Sequence, residues 1–562
     1  MAEAASPRTW LKSLAVYREQ RTLVMFALGF ASGLPFWLIF DTLSAWLRGA
    51  GLSLNVICFF SLATLAYAFK FLWAPLVDRT RIPGLTAWLG HRRSWMLAAQ
   101  LVIMAGLALI AITDPVANIS ITAALAVATG FAGATQDIAM DAWRIEVGTE
   151  RDQGAMLATY QWGYRVAIIT SGAAPLFLAD AFSWSISYFV MALCMGLGVI
   201  AVLLAPRERE HQVRPIPRLD QPRKPALEKL EWVLRLLLLV IGALILGSGL
   251  SAQIRLIASW LPPDTAAWLS TAWIKPGGLG IVMQLSAVVI GFAFIVACAW
   301  PLPGKPTQPG YFLSHVFGDP LADFFKRFAG TAGLILMVIC FYRLSEFVLN
   351  IMNPFYLDLG FTLTQIAEVR KIYGVLLAMF GIFAGGWAVS RFGVMRALVI
   401  GAIIAPLSNL AFAWLSVQGP SVPALIFTLG VNNICQSFAG TCLLAYMSSL
   451  TSAGFTATQY ALFSSLYALP DKFIATQSGR IVDAAARSAA DNGLFTPFKS
   501  FFVTIAPETF AAGAARMGIA PDALGAGYFA FFLYTCLVGF FVVPLTFVAL
   551  RRSEQKNPPT PI

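Results

Sequence analysis

The feature that most constrains this chain is a repeated length. Apolar runs, each close to the roughly 20 residues that a helix needs to cross a bilayer, recur from residue 22 to residue 550. They fall at 22–47, 55–77, 94–113, 119–144, 154–179, 183–205, 232–252, 279–300, 329–356, 364–389, 395–416, 422–447, 457–484 and 526–550. Hydrocarbon offers no partner to a backbone N–H or C=O, so runs of this kind fold as helices. The expected fold class is all-α integral membrane, with fourteen spans in a six–two–six order. Composition agrees. Of 562 residues, 58% are hydrophobic and only 12% charged, against about 25% charged in a soluble chain.

The net charge of +11 does not point to nucleic acid. The basic residues sit in short loops between apolar runs, as topogenic charge does. Arg79, Arg81, Arg92 and Arg93 follow the second run. Arg207, Arg209, Arg214, Arg218, Arg223, Lys224 and Lys229 follow the sixth, and Lys326 and Arg327 precede the ninth. Arg391 and Arg396 follow the tenth, and Arg551, Arg552 and Lys556 close the chain. All fall on one side if both termini are cytoplasmic. Arg8, Lys12, Arg18 and Arg21 resemble a signal n-region, but the run after them is too long for an h-region and reads as a retained span. The expected division is a six-helix bundle over 1–205, a cytoplasmic linker 206–231, two extra membrane helices within 232–300, and a linker 301–328. A second six-helix bundle over 329–550 carries a periplasmic loop 485–525, and a cytoplasmic tail 551–562 follows.

The two six-span blocks read as repeats. Gly51-Leu52-Ser53 matches Gly360-Phe361-Thr362, and Asp78-Arg79 matches Ser390-Arg391 at nearly the same offset. Paired halves around a midplane site are the plan of a rocking secondary transporter. Asp78-Arg79 with Gly90-His91-Arg92-Arg93 resembles the loop signature of the major facilitator superfamily, stretched by an insertion. A carboxylate among cations there can latch two helices at a cytoplasmic gate, although plain topogenic anchoring would leave the same residues. The second copy has Ser390 in place of the acid.

The costly residues lie inside the runs. Asp137 and Asp141 share one helical face, and an intramembrane carboxylate is expensive unless it meets a cavity or a partner. Asp41, Lys70, Arg165, Arg343, Glu346, Asp471, Lys472 and Arg480 are further charges in spans. Both signs occur, so some must form structural ion pairs. Asp137, Glu346 and Asp41 are the candidates for carrying a proton, because a carboxyl group withdrawn from water can exchange one near neutral pH. Asp141 with Arg144 belongs nearer the gate, with Asp78, Arg79, Arg92, Arg93 and Arg391. Candidates for substrate contact are Gln136, Arg165, Tyr164, Gly33, Asn432, Asn433, Gln436, Tyr342, Arg343, Asp471 and Lys472. A guanidinium such as Arg165 can hold a carboxylate, and amides and flat rings suit a glycan with a peptide. For many of these, interhelical packing is the plainer role.

No nucleotide-binding glycine loop is present, so ATP is not the expected driver. No Ser-His-Asp set, His-Glu-x-x-His or paired cysteines occur, so neither an enzyme, a metal site nor a cofactor is expected. His91, His211 and His315 lie outside the runs, which excludes a histidine proton relay.

Leu28-Gly-Phe-Ala-Ser-Gly-Leu-Pro35, Ala66-Tyr-Ala-Phe-Lys-Phe-Leu-Trp-Ala-Pro-Leu-Val-Asp-Arg79, Thr135-Gln-Asp-Ile-Ala-Met-Asp-Ala-Trp143 and Gly163-Tyr-Arg165 together resemble the AmpG muropeptide permeases of Gram-negative inner membranes. The match is close in the first half and is mainly one of span pattern in the second. The resemblance implies a major facilitator-like fold with two extra central helices, and import of N-acetylglucosamine–1,6-anhydro-N-acetylmuramic acid, with or without its stem peptide. It also implies proton coupling, a role in peptidoglycan recycling and, through that, an influence on β-lactamase induction. The expected partners are this anhydromuropeptide, protons and the bilayer, with no nucleic acid and a monomeric chain. The residues alone leave open an exporter, a carrier for another metabolite (acetyl-CoA-like, sugar or peptide), or a sensor without transport.

Overall fold

The computed structural model describes residues 15–50, 65–115, 117–208, 225–251, 254–274, 278–300, 307–475, 478–503, 506 and 508–556. Every described element is a helix. The first bundle contains α1 (Gln20–Trp37), α2 (Ala74–Arg79), α3 (His91–Ile112), α4 (Ile119–Val147), α5 (Glu150–Ala181) and α6 (Trp184–Leu204). A hairpin of α7 (Pro225–Ser251) and α8 (Gly278–Ala299) follows, then an amphipathic helix α9 (Gln308–Arg327). The second bundle contains α10 (Ala332–Leu359), α11 (Val375–Phe392), α12 (Val394–Ser416), α13 (Val422–Ser449), α14 (Thr456–Ala475) and α16 (Pro521–Phe540), and the short helix α15 (Ser478–Ala490) lies between the last two in the chain.

Among the described residues, ten helices are long and apolar enough to cross a membrane, and the expected count of fourteen is not reached. The four expected spans that fall short begin in α1, run through residues 55–77, or coincide with α5 and α14. Residues 55–64 lie outside the described set. α1 runs into a π-turn, Leu38–Thr42, and then a short helix, Leu43–Gly49. α5 is long, at 32 residues, but carries Arg151, Asp152, Gln161 and Arg165. Polar side chains lower the hydropathy of a helix that need not meet lipid on every side, so composition undercounts helices of this kind.

Small residues set the closest packing, as expected where lipid supplies no hydrophobic drive. A Cβ on Gly29 would collide with the Tyr160 carbonyl, and one on Gly163 with the Phe26 carbonyl. α1 and α5 therefore touch backbone to backbone. Gly242, Gly249 and Gly291 do the same for the α7–α8 hairpin. That hairpin leans on Phe69, Phe71, Leu72 and Trp73 through Leu246 and Ile295, and α7 also meets α14. Beyond the second bundle, α15 and the segments Thr496–Phe502 and Ala511–Met517 fold onto α16.

The two bundles meet mainly at their Arg-rich ends. α5 packs on α11 and α13, and α14 packs on α4 and α2. Gly154 stacks against Gly386 and Val389. Farther in, Gln161 Nε2 donates to Thr441 Oγ1 at 3.0 Å and Trp162 Nε1 to the Met379 carbonyl at 2.9 Å. Trp162 lies about 18 Å along α5 from Glu150 at 1.5 Å per residue. These hydrogen bonds between the bundles lie between the Arg-rich end and this depth.

Candidate functional site

Three polar layers follow one another inward from the Arg-rich end. The outermost ties the two bundles together. Helix α14 begins Thr456-Ala457-Thr458 with no acid in its first turn, so its free N–H groups and positive end need an anion from elsewhere. Asp78, at the end of α2, supplies it. Its carboxylate accepts from Ala457 N at 3.2 Å, Thr458 N at 2.8 Å and Thr458 Oγ1 at 2.6 Å. The same carboxylate accepts from Arg92 Nη2 at 2.6 Å, and Arg92 also binds Glu146 at 2.7 Å. Asp78 and Arg92 are 1% and 0% exposed. A buried charge pair with one partner removed costs about 3–5 kcal/mol, so this array holds its geometry firmly. Arg93 donates to the Val202 and Leu203 carbonyls and so ties α3 to α6. Arg79 donates to the His315 carbonyl at 3.0 Å and lies over the Phe455 ring. Arg391 is exposed, and Ser390 Oγ donates to its own helix at Gly386.

His91 differs from the expectation that every histidine lies outside the spans. It opens α3, is buried, and its Nε2 lies 2.7 Å from the Val77 carbonyl. The apolar run at 94–113 hides this, because the helix starts one turn earlier, at a glycine cap with φ 101°.

The middle layer centres on Asp141. It lies 3.7 Å from Lys70 Nζ and 3.5 Å from Arg144 Nη2. Arg144 reaches across to the second bundle, donating to Ser448 Oγ at 3.0 Å and lying over the Tyr460 ring. Gln153 Oε1 holds its other face at 2.5 Å.

The innermost layer is one turn deeper on α4. Asp137 Oδ1 accepts from Ser32 Oγ at 2.6 Å, and that hydroxyl lies 3.0 Å from Tyr160 Oη. Among the described residues Asp137 makes no ion pair within 4.0 Å, whereas Asp141 makes two. Gln136 is fully buried, and neither of its amide atoms is hydrogen-bonded among the described residues. Gly33 faces Tyr164 and Ala167, and a Cβ there would crowd both. Tyr67 lies in the groove left by Gly133. On the facing bundle Arg343 pairs with Glu346 and lies over the Tyr467 ring at 5.3 Å. These residues sit where α10 gives way to a 3₁₀ segment, Leu344–Ile351. Arg165 of α5 is within electrostatic reach of both Arg343 and Glu346. Arg343 thus holds the Glu346 carboxylate within the field of a second guanidinium, an arrangement able to accept a further anion.

Other candidates are engaged within the second bundle. Tyr342 is buried and donates to the Leu398 carbonyl at 2.8 Å. Asn432 Nδ2 lies 3.1 Å from Ser408 Oγ and 3.3 Å from Asn409 Oδ1, and Gln436 donates to the Ala405 carbonyl. Asn433 lies beside Gly374. Asp41, Asp471 and Lys472 have side chains outside the described residues. Sequence reasoning missed Ser32, Glu146, Thr458 and Tyr460 as partners. The absence of a carboxylate from the first turn of α14 was the one available signal for Thr458.

The comparisons with known proteins agree with this architecture. Residues 25–300 match the Major Facilitator Superfamily model. The chain is 30% identical over 474 residues to a putative transporter, AmpG 4, of Rickettsia felis, covering 83% of this chain and 91% of that protein. It is 28% identical to the anhydromuropeptide permease of Escherichia coli K12, covering 84% of this chain and 76% of that protein. A major facilitator proton:xylose symporter, at 11% identity, shares the fold with a TM-score of 0.50 over 94% of this chain and 96% of that one. A six-helix bundle facing another across a polar seam, with relatives of this kind along most of its length, makes this a multi-pass membrane transporter of the AmpG family within the major facilitator superfamily.

Proposed function

We propose that the chain imports N-acetylglucosamine–1,6-anhydro-N-acetylmuramic acid and its peptide-bearing forms from periplasm to cytoplasm, driven by protons. The Escherichia coli relative, an anhydromuropeptide permease, gives the substrate class. The observation that carries the mechanism is the innermost layer, which sets an acid and an anion-accepting pair at similar depth. Asp137 is held by a hydroxyl and has no cation within ion-pair distance among the described residues. Such a carboxyl can take a proton without breaking a salt bridge. Arg343 pairs with Glu346, Arg165 lies within electrostatic reach of both, and the two guanidiniums can hold the substrate's carboxylate.

In this reading the Arg-rich side is cytoplasmic, following the distribution of Lys and Arg in the loops. Both termini lie there, in the inner membrane, and the chain works as a monomer. The Asp78 latch then closes the cytoplasmic gate while substrate and proton enter from the periplasm. Protonation of Asp137 and occupancy of the arginine pair favour release of the latch, and the bundles rock. Gln136 and Tyr164 line the route beside Asp137.

The test is uptake of labelled anhydro-disaccharide by cells carrying the chain. Uptake should collapse with a proton ionophore and survive ATP depletion when the gradient is kept. Uptake unaffected by the ionophore would remove proton coupling. Failure of unlabelled anhydromuropeptide to compete would remove the substrate assignment.

A further inference from the structure

The loop between α15 and α16 carries an apolar surface that the polar seam does not use. Thr496–Phe502 is a 3₁₀ helix, in which side chains three apart stand one above another. Phe495, Phe498 and Phe501 therefore form a ladder, with stacked ring centroids 6.2 Å and 6.3 Å apart. Phe502 belongs to another face. It is buried against Gly525, and its ring lies 6.0 Å from that of Phe510. Lys499 pairs with Asp522 at the start of α16 at 3.2 Å. The segment is thus held to α16 on one side, while Phe501 on the outer side is 51% exposed. Leu494 and Val503, at the two ends of the ladder, are 82% and 80% exposed. Large apolar side chains this bare, gathered in one short segment, mark a contact surface.

The depth of this patch identifies what covers it. The ladder rests on Phe529 of α16, with the Phe498 and Phe501 rings each 5.2 Å from that ring. Phe529, Leu533 and Leu537 recur at every fourth position, so they share one face of α16. Leu537 is 71% exposed within an apolar span, and this face meets lipid. α16 and its continuation form one span, Pro521–Arg552, of 32 residues. That is about 48 Å of helix at 1.5 Å per residue, well beyond the roughly 30 Å of hydrocarbon. Arg551 and Arg552 mark where the Arg-rich end leaves the hydrocarbon. Counted back from Leu550, about 30 Å of helix ends near Phe529. The ladder therefore stands at the membrane–water boundary opposite the Arg-rich end, on the face that meets lipid. Aromatic rings collect at that boundary, and amphipathic segments lie in its plane.

We propose that residues 494–503 are an in-plane membrane anchor, with Leu494, Phe501 and Val503 inserted among the acyl chains at the end opposite the Arg-rich one. The anchor is tied to α10, the helix that leads into Arg343 and Glu346. Phe502 packs on Phe510, whose N–H donates to the Asp358 carbonyl at 2.8 Å. The Asp358 carboxylate in turn accepts from Tyr528 Oη at 2.7 Å and Arg516 Nη2 at 3.4 Å. Lipid thereby fixes the loop that fixes the far end of α10.

The experiment uses the full chain in proteoliposomes, in a background without the native cysteines. Nitroxide labels are placed singly through Leu494→Cys, Phe501→Cys and Val503→Cys, with Asp491→Cys and Ser500→Cys as controls. Power-saturation EPR compares collisions with oxygen, which concentrates in hydrocarbon, and with a water-soluble nickel chelate. Oxygen collisions should dominate at Leu494, Phe501 and Val503, and the order should reverse at Asp491 and Ser500. Fewer than two oxygen-dominated positions among the three would overturn the proposal. Nickel dominance there shows a patch facing water, and low rates with both reagents show a patch covered by protein, such as a second copy of the chain. If Phe501→Cys fails to fold, Leu494 and Val503 must both be oxygen-dominated for the anchor to stand.

Discussion

Asp78→Asn tests whether the Arg-rich end is held shut by a carboxylate on a helix terminus. In the closed geometry the carboxylate accepts two backbone N–H groups and one hydroxyl from α14. The Arg92 contact lies within one bundle and survives opening, so it does not bias the equilibrium. The bias comes from what opening breaks, namely the bonds to Ala457 and Thr458 and the charge at the start of α14. Hydrogen bonds to a charged group are worth about 1.5–3 kcal/mol each, and the helix-end interaction up to about 2 kcal/mol when partly buried. A neutral amide keeps one acceptor but turns a donor toward N–H groups. The net loss for the closed state is about 2–4 kcal/mol, or a factor of about 30 to 1,000 in the closed-to-open ratio. Ala461, 2% exposed and packed among residues of the first bundle, serves as the reporter. In a background without the native cysteines, Ala461→Cys should react with a membrane-impermeant maleimide from the Arg-rich side. Asp78→Asn should raise that rate about 30-fold or more. A rate that stays the same, in a variant that is expressed and monodisperse, would refute the latch.

Asp137→Asn should abolish proton-driven uptake while leaving the amount of protein in the membrane unchanged; unchanged uptake would reduce Asp137 to a structural residue. Arg165→Ala should raise the KM for anhydromuropeptide by about tenfold or more, the worth of one charge-assisted contact, as measured by initial-rate uptake at several concentrations. Gly163→Val would drive a branched side chain into the Phe26 backbone, and a fall in the thermal midpoint of the purified protein should follow, from overpacking of about 1–3 kcal/mol or more. Asp323 on α9 gives a negative control for pH. Burial pushes its carboxyl up, but Ser452, Gln459 and Arg327 outweigh this and hold it below the usual range. A depressed carboxyl contributes stability above its ordinary value of about 4 and loses it only as pH falls further. Asp323→Asn should therefore leave the shape of the uptake-versus-pH curve between pH 5 and pH 8 unchanged, while altering its height.

The sequence by itself determined the class of this protein. Lengths of apolar run and the scarcity of charge admit only membrane helices, because hydrocarbon leaves the backbone no other way to pair. The residues that pay a solvation penalty, Asp78, Asp137, Asp141 and Arg165, were visible for the same reason. Apart from Arg144 beside Asp141 and Arg92 in the Asp78 motif, their partners were not. Asp78 meets Thr458 across 380 positions, Arg144 meets Ser448 across 304, and Ser32 meets Asp137 across 105. No periodicity or spacing encodes which helices become neighbours, since that depends on where small residues such as Gly29 and Gly163 allow backbones to touch. The residues alone set Asp141 nearer the gate than Asp137, and the tertiary structure supplied the neighbours of each. Asp141 lies against Lys70 and Arg144, whereas Asp137 lies against a hydroxyl, because their different neighbours come from other helices.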